Sequence, residues 1–188
     1  MQITNFEHPA HIFSRSDQLL KTTFDYLFTL PALLFLTPLL LLIACAIKLE
    51  SRGPFLHKRR AYGRLGQQFI VYKFRTVYVA DKTQRYTRVG IFLRQTGLDE
   101  LPKLFNVLNQ TMSLVGPRFL TQHDLMRYGT THRDWLMTKP GLTGLWQVNG
   151  RYQPAISKRV QLDKRYIEDW SIWLDLKILL STVILMRY

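Results

Sequence analysis

The stretch LFTLPALLFLTPLLLLIACAI, residues 27 to 47, decides the fold because none of its 21 residues is charged. As a straight α-helix it would extend about 31 Å at roughly 1.5 Å per residue, enough to cross the hydrocarbon core of a bilayer. Pro38 lies near its middle, where a proline removes one backbone hydrogen bond and kinks or breaks a helix. In lipid the freed carbonyl needs another donor, and the Thr37 hydroxyl is placed to help. We therefore predict a membrane segment broken at Thr37 and Pro38.

The charges on either side of this segment indicate how it enters the membrane. Lys21 precedes it, and Lys48 and Arg52 follow it closely. Because cationic flanks stay on the cytoplasmic side, both ends are expected on that side. A re-entrant helix over residues 24–49, which enters and leaves through one leaflet, satisfies this rule. A single kinked span is the alternative.

Two processing signals were weighed against the membrane helix. The apolar run begins too late in the chain for an ordinary signal peptide. Residues 42–45, which end in Cys45, loosely resemble a lipoprotein cleavage box, but export would leave a very basic domain outside the cell. With one cysteine the chain forms no intrachain disulfide, and its five histidines show no zinc-ligand spacing.

Length and charge bound the organisation of the chain. Its 188 residues are enough for one domain with a real core. We predict an N-terminal tail over residues 1–20 and a single domain over 21–188, of which residues 50–188 are cytoplasmic or interfacial. The formal net charge is +13, from 26 Lys and Arg against 13 Asp and Glu. Residues 48–94 hold 12 of these cations and two acidic residues, so nucleic acid, anionic lipid or a phosphorylated small molecule is an expected partner.

The remaining pattern predicts a mainly helical α+β fold with a small β element. Residues 63–66, GRLG, predict a turn before a strand at 68–74, QFIVYKF. Leucines and Phe105 form a helical stripe over residues 98–108. A further helix is expected over 119–137, and a glycine-punctuated loop over 140–150.

The C-terminal run, residues 166–186, is predicted to be one long helix. Trp170 and Trp173 lie at its start, and its second half is almost wholly apolar. Such a helix is typical of a membrane interface. On pattern alone an ordinary buried helix explains it equally well.

Asp99 and Glu100 stand out as an adjacent acidic pair among many cations. Asp99 could cap a helix that has Pro102 in its first turn, or it could complete a capping box with Thr96. Glu100 projects about 100° away on a helix, so one capping role does not explain both. The alternative is metal-assisted phosphoryl transfer, in which one carboxylate attacks phosphorus and the other binds Mg²⁺. The surrounding cations are then expected to lower the carboxylate pKa and keep the nucleophile ionised.

Five blocks together resemble the bacterial sugar transferase family, the monotopic phosphoglycosyl transferases. They are KFRTV (73–77), LRQTGLDELPKLFNVL (93–108), MSLVGPR (112–118), KPGLTGLWQVNGR (139–151) and LDKRYIEDWSIWLDLKIL (162–179). The similarity runs from about residue 20 to the C-terminus, in the family's order and at family-like spacing.

The resemblance implies an enzyme of glycoconjugate or exopolysaccharide assembly at the cytoplasmic face of the bacterial inner membrane. Asp99 would attack the β-phosphate of a UDP-sugar, release UMP and carry the phosphosugar covalently. Polyprenyl (undecaprenyl) phosphate would then accept the phosphosugar. Glu100 would bind the Mg²⁺ cofactor, and the apolar segment would be the family's re-entrant helix. A homodimer is left open, and no nucleic acid partner is expected.

The matching blocks also suggest which side chains contact the substrate. The cations expected to face phosphate are Lys73, Arg75, Arg94, Arg118 and Arg151. Gln147 and Asn149, in the glycine-punctuated loop, are expected to contact the nucleotide or sugar.

Two departures from the family pattern leave other functions open. Ala61 stands where the family has an arginine, for which Arg59 or Arg60 could substitute, and Phe119 replaces a proline after Arg118. A catalytically silent family member is therefore one alternative. A basic membrane-surface protein that binds anionic lipid or nucleic acid is the other.

Overall fold

The computed structural model describes residues 13–79, 85–124, 137–149 and 156–185. These residues form a mainly helical α+β fold with two small sheets, as predicted. The helices are α1 (Arg15–Glu50), α2 (Arg88–Thr96), α3 (Leu104–Leu108), α4 (Leu145–Asn149), α5 (Ile156–Glu168) and α6 (Ile172–Leu185). The strands are β1 (Leu56–Tyr62), β2 (Gln68–Phe74), β3 (Ser113–Val115) and β4 (Gly141–Thr143). A 3-10 helix, Leu98–Lys103, connects α2 to α3.

Helix α1 is a single α-helix of 36 residues that is long and apolar enough to cross a membrane. A capping box between Ser14 and Asp17 starts it, so it begins inside the segment predicted as a tail. Pro38 lies within the helix and does not end it. The Thr37 hydroxyl donates to the Leu33 carbonyl at 2.7 Å, one residue before the carbonyl of Leu34 that Pro38 leaves without its helical donor. The re-entrant path remains a prediction.

One face of α1 packs against the rest of the protein along its whole length. Its buried apolar residues are Phe24, Leu33, Ile43 and Ile47, spaced at intervals that place them on one side of a helix. The opposite face exposes apolar side chains, with Leu34 at 81%, Phe35 at 83% and Leu49 at 88% exposure. Helix α1 is therefore amphipathic in an unusual sense, with protein on one side and an unpartnered apolar surface on the other.

Strands β1 and β2 form an antiparallel hairpin in which His57 pairs with Lys73. The bounds of β2 confirm the predicted strand at 68–74. The predicted turn is a short 3-10 helix in which Leu65 and Gly66 take positive φ angles of 56° and 71°. The outer edge of β2 is covered by Asn106, whose amide accepts from the Tyr72 N–H at 3.1 Å and donates to the Ile70 carbonyl at 2.6 Å.

The second sheet pairs β3 with β4 in parallel between α1 and α6. The two chains approach closely beside it, because a Cβ added at Gly141 would collide with the backbone nitrogen of Gly116. Strand β4 and helix α4 occupy residues predicted as a loop, so that prediction was wrong for 141–149. The helix predicted over 119–137 begins only at residue 122, and most of it lies outside the described residues.

The predicted C-terminal helix was wrong in one respect, because two helices replace it. Helix α5 ends at Glu168, and Ser171 starts α6 by accepting the Leu174 N–H on its hydroxyl at 3.2 Å. The break turns Trp170 inward, where its Nε1 donates to buried Asp175 at 3.2 Å. Trp173 is 70% exposed, so only the second tryptophan fits the interfacial role predicted for both.

Candidate active site

A cavity of about 570 Å³ opens between the β1–β2 hairpin, α2 and the 3-10 helix. It brings together six of the residues predicted for the site from separate sequence blocks. These are Lys73, Arg75, Arg94, Asp99, Glu100 and Arg118. Its other polar lining includes His57, Arg59, Thr76 and Tyr86.

The acidic pair owes its position to Gly97 and the 3-10 helix. Gly97 has φ 73° and ends α2 in the left-handed conformation that glycine adopts without strain. It is also the residue before the 3-10 helix, and no side chain caps that end. Thr96 donates its hydroxyl back to the Phe92 carbonyl at 2.8 Å. Both capping roles considered for Asp99 are therefore wrong, and its carboxylate is left facing the cavity.

Two lysine ammoniums hold the carboxylates. Lys73 of β2 pairs with Oε1 of Glu100, and its Nζ lies 4.0 Å from Oδ2 of Asp99. Lys103, at the end of the 3-10 helix, places its Nζ 3.0 Å from Oε2 of Glu100. Asp99 is the more enclosed carboxylate, with a side chain 14% exposed against 39% for Glu100. Glu100 is thus bound on both oxygens, whereas Asp99 has one distant ammonium.

The pKa values of the two carboxyls shift in opposite directions. Burial raises the pKa of Asp99, and the Lys73 ammonium only partly opposes it. Burial also acts to raise the pKa of Glu100, but Lys103 and Lys73 outweigh it and lower the pKa to about 2. The lowered pKa expected for the nucleophile was therefore wrong for Asp99 and describes Glu100 instead. A carboxylate that is desolvated and weakly paired is the more reactive nucleophile of the two.

Two of the predicted arginines lie at the cavity with aromatic partners. Arg94 donates to the Tyr86 hydroxyl at 2.7 Å and lies 4.7 Å above its ring. The guanidinium of Arg118 lies 5.2 Å from the Trp146 ring and 5.6 Å from the Phe119 ring. Such stacking orients a guanidinium and leaves its N–H groups able to bind an anion.

Arg75 lines the same cavity, but its donors are directed elsewhere. It donates to the Ser51 carbonyl at 2.8 Å, to the Ser51 hydroxyl at 2.7 Å and to the Arg52 carbonyl at 2.9 Å. These contacts fasten the end of α1 to β2. The phosphate contact predicted for Arg75 stays a prediction, and the structure gives this residue a role in holding α1.

The residues predicted to contact nucleotide or sugar lie apart from this cavity. Asn149 lines a second cavity, of about 420 Å³, between α4, α5 and α6. Gln147 lies in α4 beside Gly144, outside the lining of the first cavity. Arg151 lies outside the described residues. The contacts predicted for these three residues stay predictions.

Sequence reasoning missed His57, Tyr86 and Lys103, and it left open which arginine faces the site. Side chains of a strand alternate, so His57, Arg59 and Ala61 share one face of β1. Arg59 lines the cavity whereas Ala61 is buried in the core, which assigns the substitution for the family's arginine to Arg59. Lys103 could have been found from its spacing, because residues three apart meet on a helical turn.

The donor set was compared with the needs of a divalent ion. No group of three or more His, Cys, Asp or Glu side chains suitable for a metal occurs in the described part of the chain. Mg²⁺ commonly binds through one or two carboxylates and completes its shell with water and substrate phosphates. Asp99 and Glu100, with hard oxygens at the wall of a large cavity, fit that mode and do not fit a site made of protein ligands alone.

Comparison with known proteins decides the family. The profile of the family described as bacterial sugar transferase matches residues 16–187, almost the whole chain. The chain belongs to the bacterial sugar transferase family. The five sequence blocks quoted above and the carboxylates of the cavity lie within the matched range.

Characterised relatives of the family share more than a third of the aligned residues. An undecaprenyl-phosphate galactose phosphotransferase of Salmonella typhimurium is 36% identical over 92% of this chain, which covers 41% of that protein. An undecaprenyl-phosphate glucose phosphotransferase of Komagataeibacter xylinus is 40% identical over 90% of the chain and 36% of its own length. The chain thus spans about two fifths of these relatives. The exopolysaccharide production protein ExoY of Sinorhizobium fredii is 35% identical and is covered to 83% of its length.

Proposed function

We propose that this protein transfers a sugar-1-phosphate from a UDP-sugar to polyprenyl phosphate, as an early membrane step of exopolysaccharide or glycoconjugate synthesis. The observation that carries the proposal is the enclosed Asp99 carboxylate at the wall of a large cavity that is lined by five basic residues (Arg59, Lys73, Arg75, Arg94 and Arg118). Relatives that are named for phosphotransfer to undecaprenyl phosphate support the substrate class.

The proposed reaction proceeds in two displacements at one phosphorus. In the first, a carboxylate oxygen of Asp99 attacks the β-phosphorus, and the bond from that phosphorus to the bridging oxygen breaks. UMP leaves with the bridging oxygen, and the sugar phosphate is held on Asp99 as an acyl phosphate. In the second, a phosphate oxygen of the polyprenyl phosphate attacks the same phosphorus and the bond to Asp99 breaks. The products are a polyprenyl diphosphate sugar and a regenerated carboxylate.

The pKa of Asp99 and the neighbouring lysine favour this assignment. A carboxylate whose pKa is raised by burial has lost much of its hydration and is more nucleophilic than one fixed in two ion pairs. Lys73, 4.0 Å from Oδ2 of Asp99, limits that rise and keeps the group ionised at neutral pH. Activity should therefore fall as the pH falls through the raised pKa of Asp99.

The cations of the cavity are proposed to bind the diphosphate. Arg94 and Arg118 have fixed orientations through their aromatic partners, and both line the cavity with Lys73. A guanidinium binds two phosphate oxygens at once and stabilises the charge that moves to the leaving phosphate. Glu100 would hold Mg²⁺, which would neutralise diphosphate charge when bound.

Helix α1 is proposed to be re-entrant at the cytoplasmic face of the inner membrane. Near its start Lys21 pairs with Asp175 of α6, and at its end Glu50 accepts the N–H groups of Arg88 and Val89 at 2.6 and 3.0 Å. Because the same protein body holds both ends, they are expected on one side of the bilayer. The exposed leucines between them would enter the lipid.

Labelling with a membrane-impermeant thiol reagent tests this topology. Single cysteines at positions 15 and 55, in a Cys45→Ser background, should react from the same side of sealed inverted vesicles. Reaction of the two positions from opposite sides would refute the re-entrant path and favour a single kinked span.

Release of UMP tests the activity. The protein in nanodiscs would be given UDP-glucose or UDP-galactose, Mg²⁺ and undecaprenyl phosphate. We expect UMP release that requires Mg²⁺ and is lost in Asp99→Asn. Asp169→Asn is the matched control, because Asp169 is 60% exposed and pairs only on the surface of α5 with Arg165. Equal release by Asp99→Asn would refute the assignment of the nucleophile, and no release by the wild type would favour a catalytically silent family member.

A further inference from the structure

The ammonium of Lys103 lies under the acidic pair and away from solvent. The residue is 4% exposed, its Nζ is 3.0 Å from Oε2 of Glu100, and the same nitrogen lies 5.2 Å from the centre of the Phe119 ring. A buried cation is costly unless it is paired, and Glu100 is the ion-pair partner that the described residues provide. The contact between Lys103 and Glu100 is therefore expected to persist when substrates bind.

Lys73 differs from Lys103 in its freedom to move. Its side chain is 26% exposed and lines the cavity, and it lies within 4.0 Å of Asp99 as well as paired with Glu100. An incoming phosphate can therefore compete for Lys73 and release Oε1 of Glu100. No such exchange is open to Lys103, which is covered by Glu100 and Phe119.

The charge of the cavity also opposes a free divalent cation. Its lining includes five Lys and Arg residues and two acidic residues, and Lys103 adds another positive charge directly behind Glu100. A divalent ion without accompanying anions would enter a strongly positive environment. A diphosphate brings the negative charge that reverses this balance.

We propose that Lys103 is a positioning residue that reserves Oε2 of Glu100, so that the metal binds through Oε1 only and only together with the diphosphate of the substrate. The inference rests on the proposed function, because it takes Glu100 as the carboxylate that meets the metal. Lys103 then makes metal binding conditional on the nucleotide and keeps the empty site free of divalent ions.

Binding of Mn²⁺, followed by electron paramagnetic resonance of the protein in nanodiscs, tests this order. For the wild type we expect the apparent affinity for Mn²⁺ to rise at least about tenfold when UDP-glucose is added, after correction for binding to the nucleotide alone. Lys103→Gln keeps a donor for Glu100 but removes the charge. A unit charge about 5 Å from a divalent ion opposes its binding by roughly tenfold or more even in a water-like dielectric, so this variant should bind Mn²⁺ at least that much more tightly without nucleotide.

The controls separate this effect from damage to the fold. Lys103→Arg keeps the charge and should behave like the wild type, and Lys164→Gln removes a lysine that is 58% exposed on α5 and should leave the affinity unchanged. A variant with a disturbed site would bind Mn²⁺ less tightly, so tighter binding has no explanation in misfolding. If Lys103→Gln proves unstable, Lys103→Met replaces it beside Phe119, with the same expectation.

The outcomes are distinguishable from failure of the proposed function. Unchanged or weaker Mn²⁺ binding by the charge-removing variants, or wild-type binding that does not depend on UDP-glucose, would overturn the role of Lys103. Loss of UMP release from the wild type would instead refute the proposed function, whatever the result with Mn²⁺ alone.

Discussion

The ion pair between Lys21 of α1 and Asp175 of α6 is enclosed by the protein, and breaking it tests how α1 is held. Nζ of Lys21 lies 2.5 Å from Oδ2 of Asp175, and the side chains are 9% and 0% exposed. Asp175 also accepts from the Tyr166 hydroxyl at 2.7 Å and from Trp170 Nε1 at 3.2 Å. Lys21→Met would leave this buried carboxylate with two neutral donors and no cation.

We expect Lys21→Met to lower the free energy of unfolding by about 3–5 kcal/mol, the usual cost of removing one member of a buried pair. In a chain of this size each kcal/mol lowers Tm by roughly 2–4 °C, so Tm should fall by roughly 6–20 °C. Thermal unfolding in nanodiscs, followed by circular dichroism, measures the change. Lys164→Met, at an exposed site, is the control and should alter stability by less than about 0.5 kcal/mol.

The double variant Lys21→Met with Asp175→Asn separates pairing from packing. Removing both charges leaves no unpaired buried ion, so the double variant should be more stable than the sum of the two single changes predicts. A fall in Tm below about 2 °C for Lys21→Met, or strictly additive effects, would refute the reasoning that this pair fastens α1.

Three further predictions concern stability. Burial raises the pKa of Asp163 to about 7, against the opposing effect of the Arg118 backbone N–H, so the unfolded chain releases this proton near pH 3.8 and the folded chain only near pH 7. Stability is therefore lost as the pH rises between those values, by about 4 kcal/mol, and Asp163→Asn should remove this dependence of Tm on pH; parallel Tm curves would contradict it. Gly141→Ala should destabilise the fold by more than about 4 kcal/mol, because the new Cβ meets backbone of the neighbouring strand, whereas Gly66→Ala, with a positive φ but open space, should cost about 1 kcal/mol in chemical unfolding. Arg75→Lys should lower Tm more than it raises the KM for UDP-sugar, because the guanidinium holds the end of α1; a raised KM with unchanged Tm would assign it to phosphate.

Much of the fold follows from local sequence. Strand β2 was predicted to its ends because β-branched and aromatic residues fill it and a glycine turn precedes it. The break between α5 and α6 was missed because neither Gly nor Pro marks it. It arises from Ser171, which caps α6, and from Trp170, which turns inward toward Asp175. Burial of a tryptophan against a carboxylate distant from any sequence signal decides that break.

The site was predictable where its residues share a sequence block and less so where the fold assembles them. Asp99 and Glu100 were identified as a pair, but the left-handed Gly97 that removes Asp99 from a capping role has no signature beyond the glycine itself. Arg59 could be chosen over Arg60 only once the register of the hairpin placed it on the face of Lys73. The raised pKa of Asp99 depends on burial, which sequence does not quantify.

The intact mass of the protein after incubation with UDP-glucose or UDP-galactose and Mg²⁺, without polyprenyl phosphate, tests the central claim most directly. The account predicts that the wild type gains the mass of one phosphohexose with release of UMP, that the added group maps to the peptide containing Asp99, and that undecaprenyl phosphate then removes it. Asp99→Asn should gain no such mass. An adduct on Asp99→Asn, or UMP release by the wild type with no adduct at any time, would contradict the covalent role of Asp99.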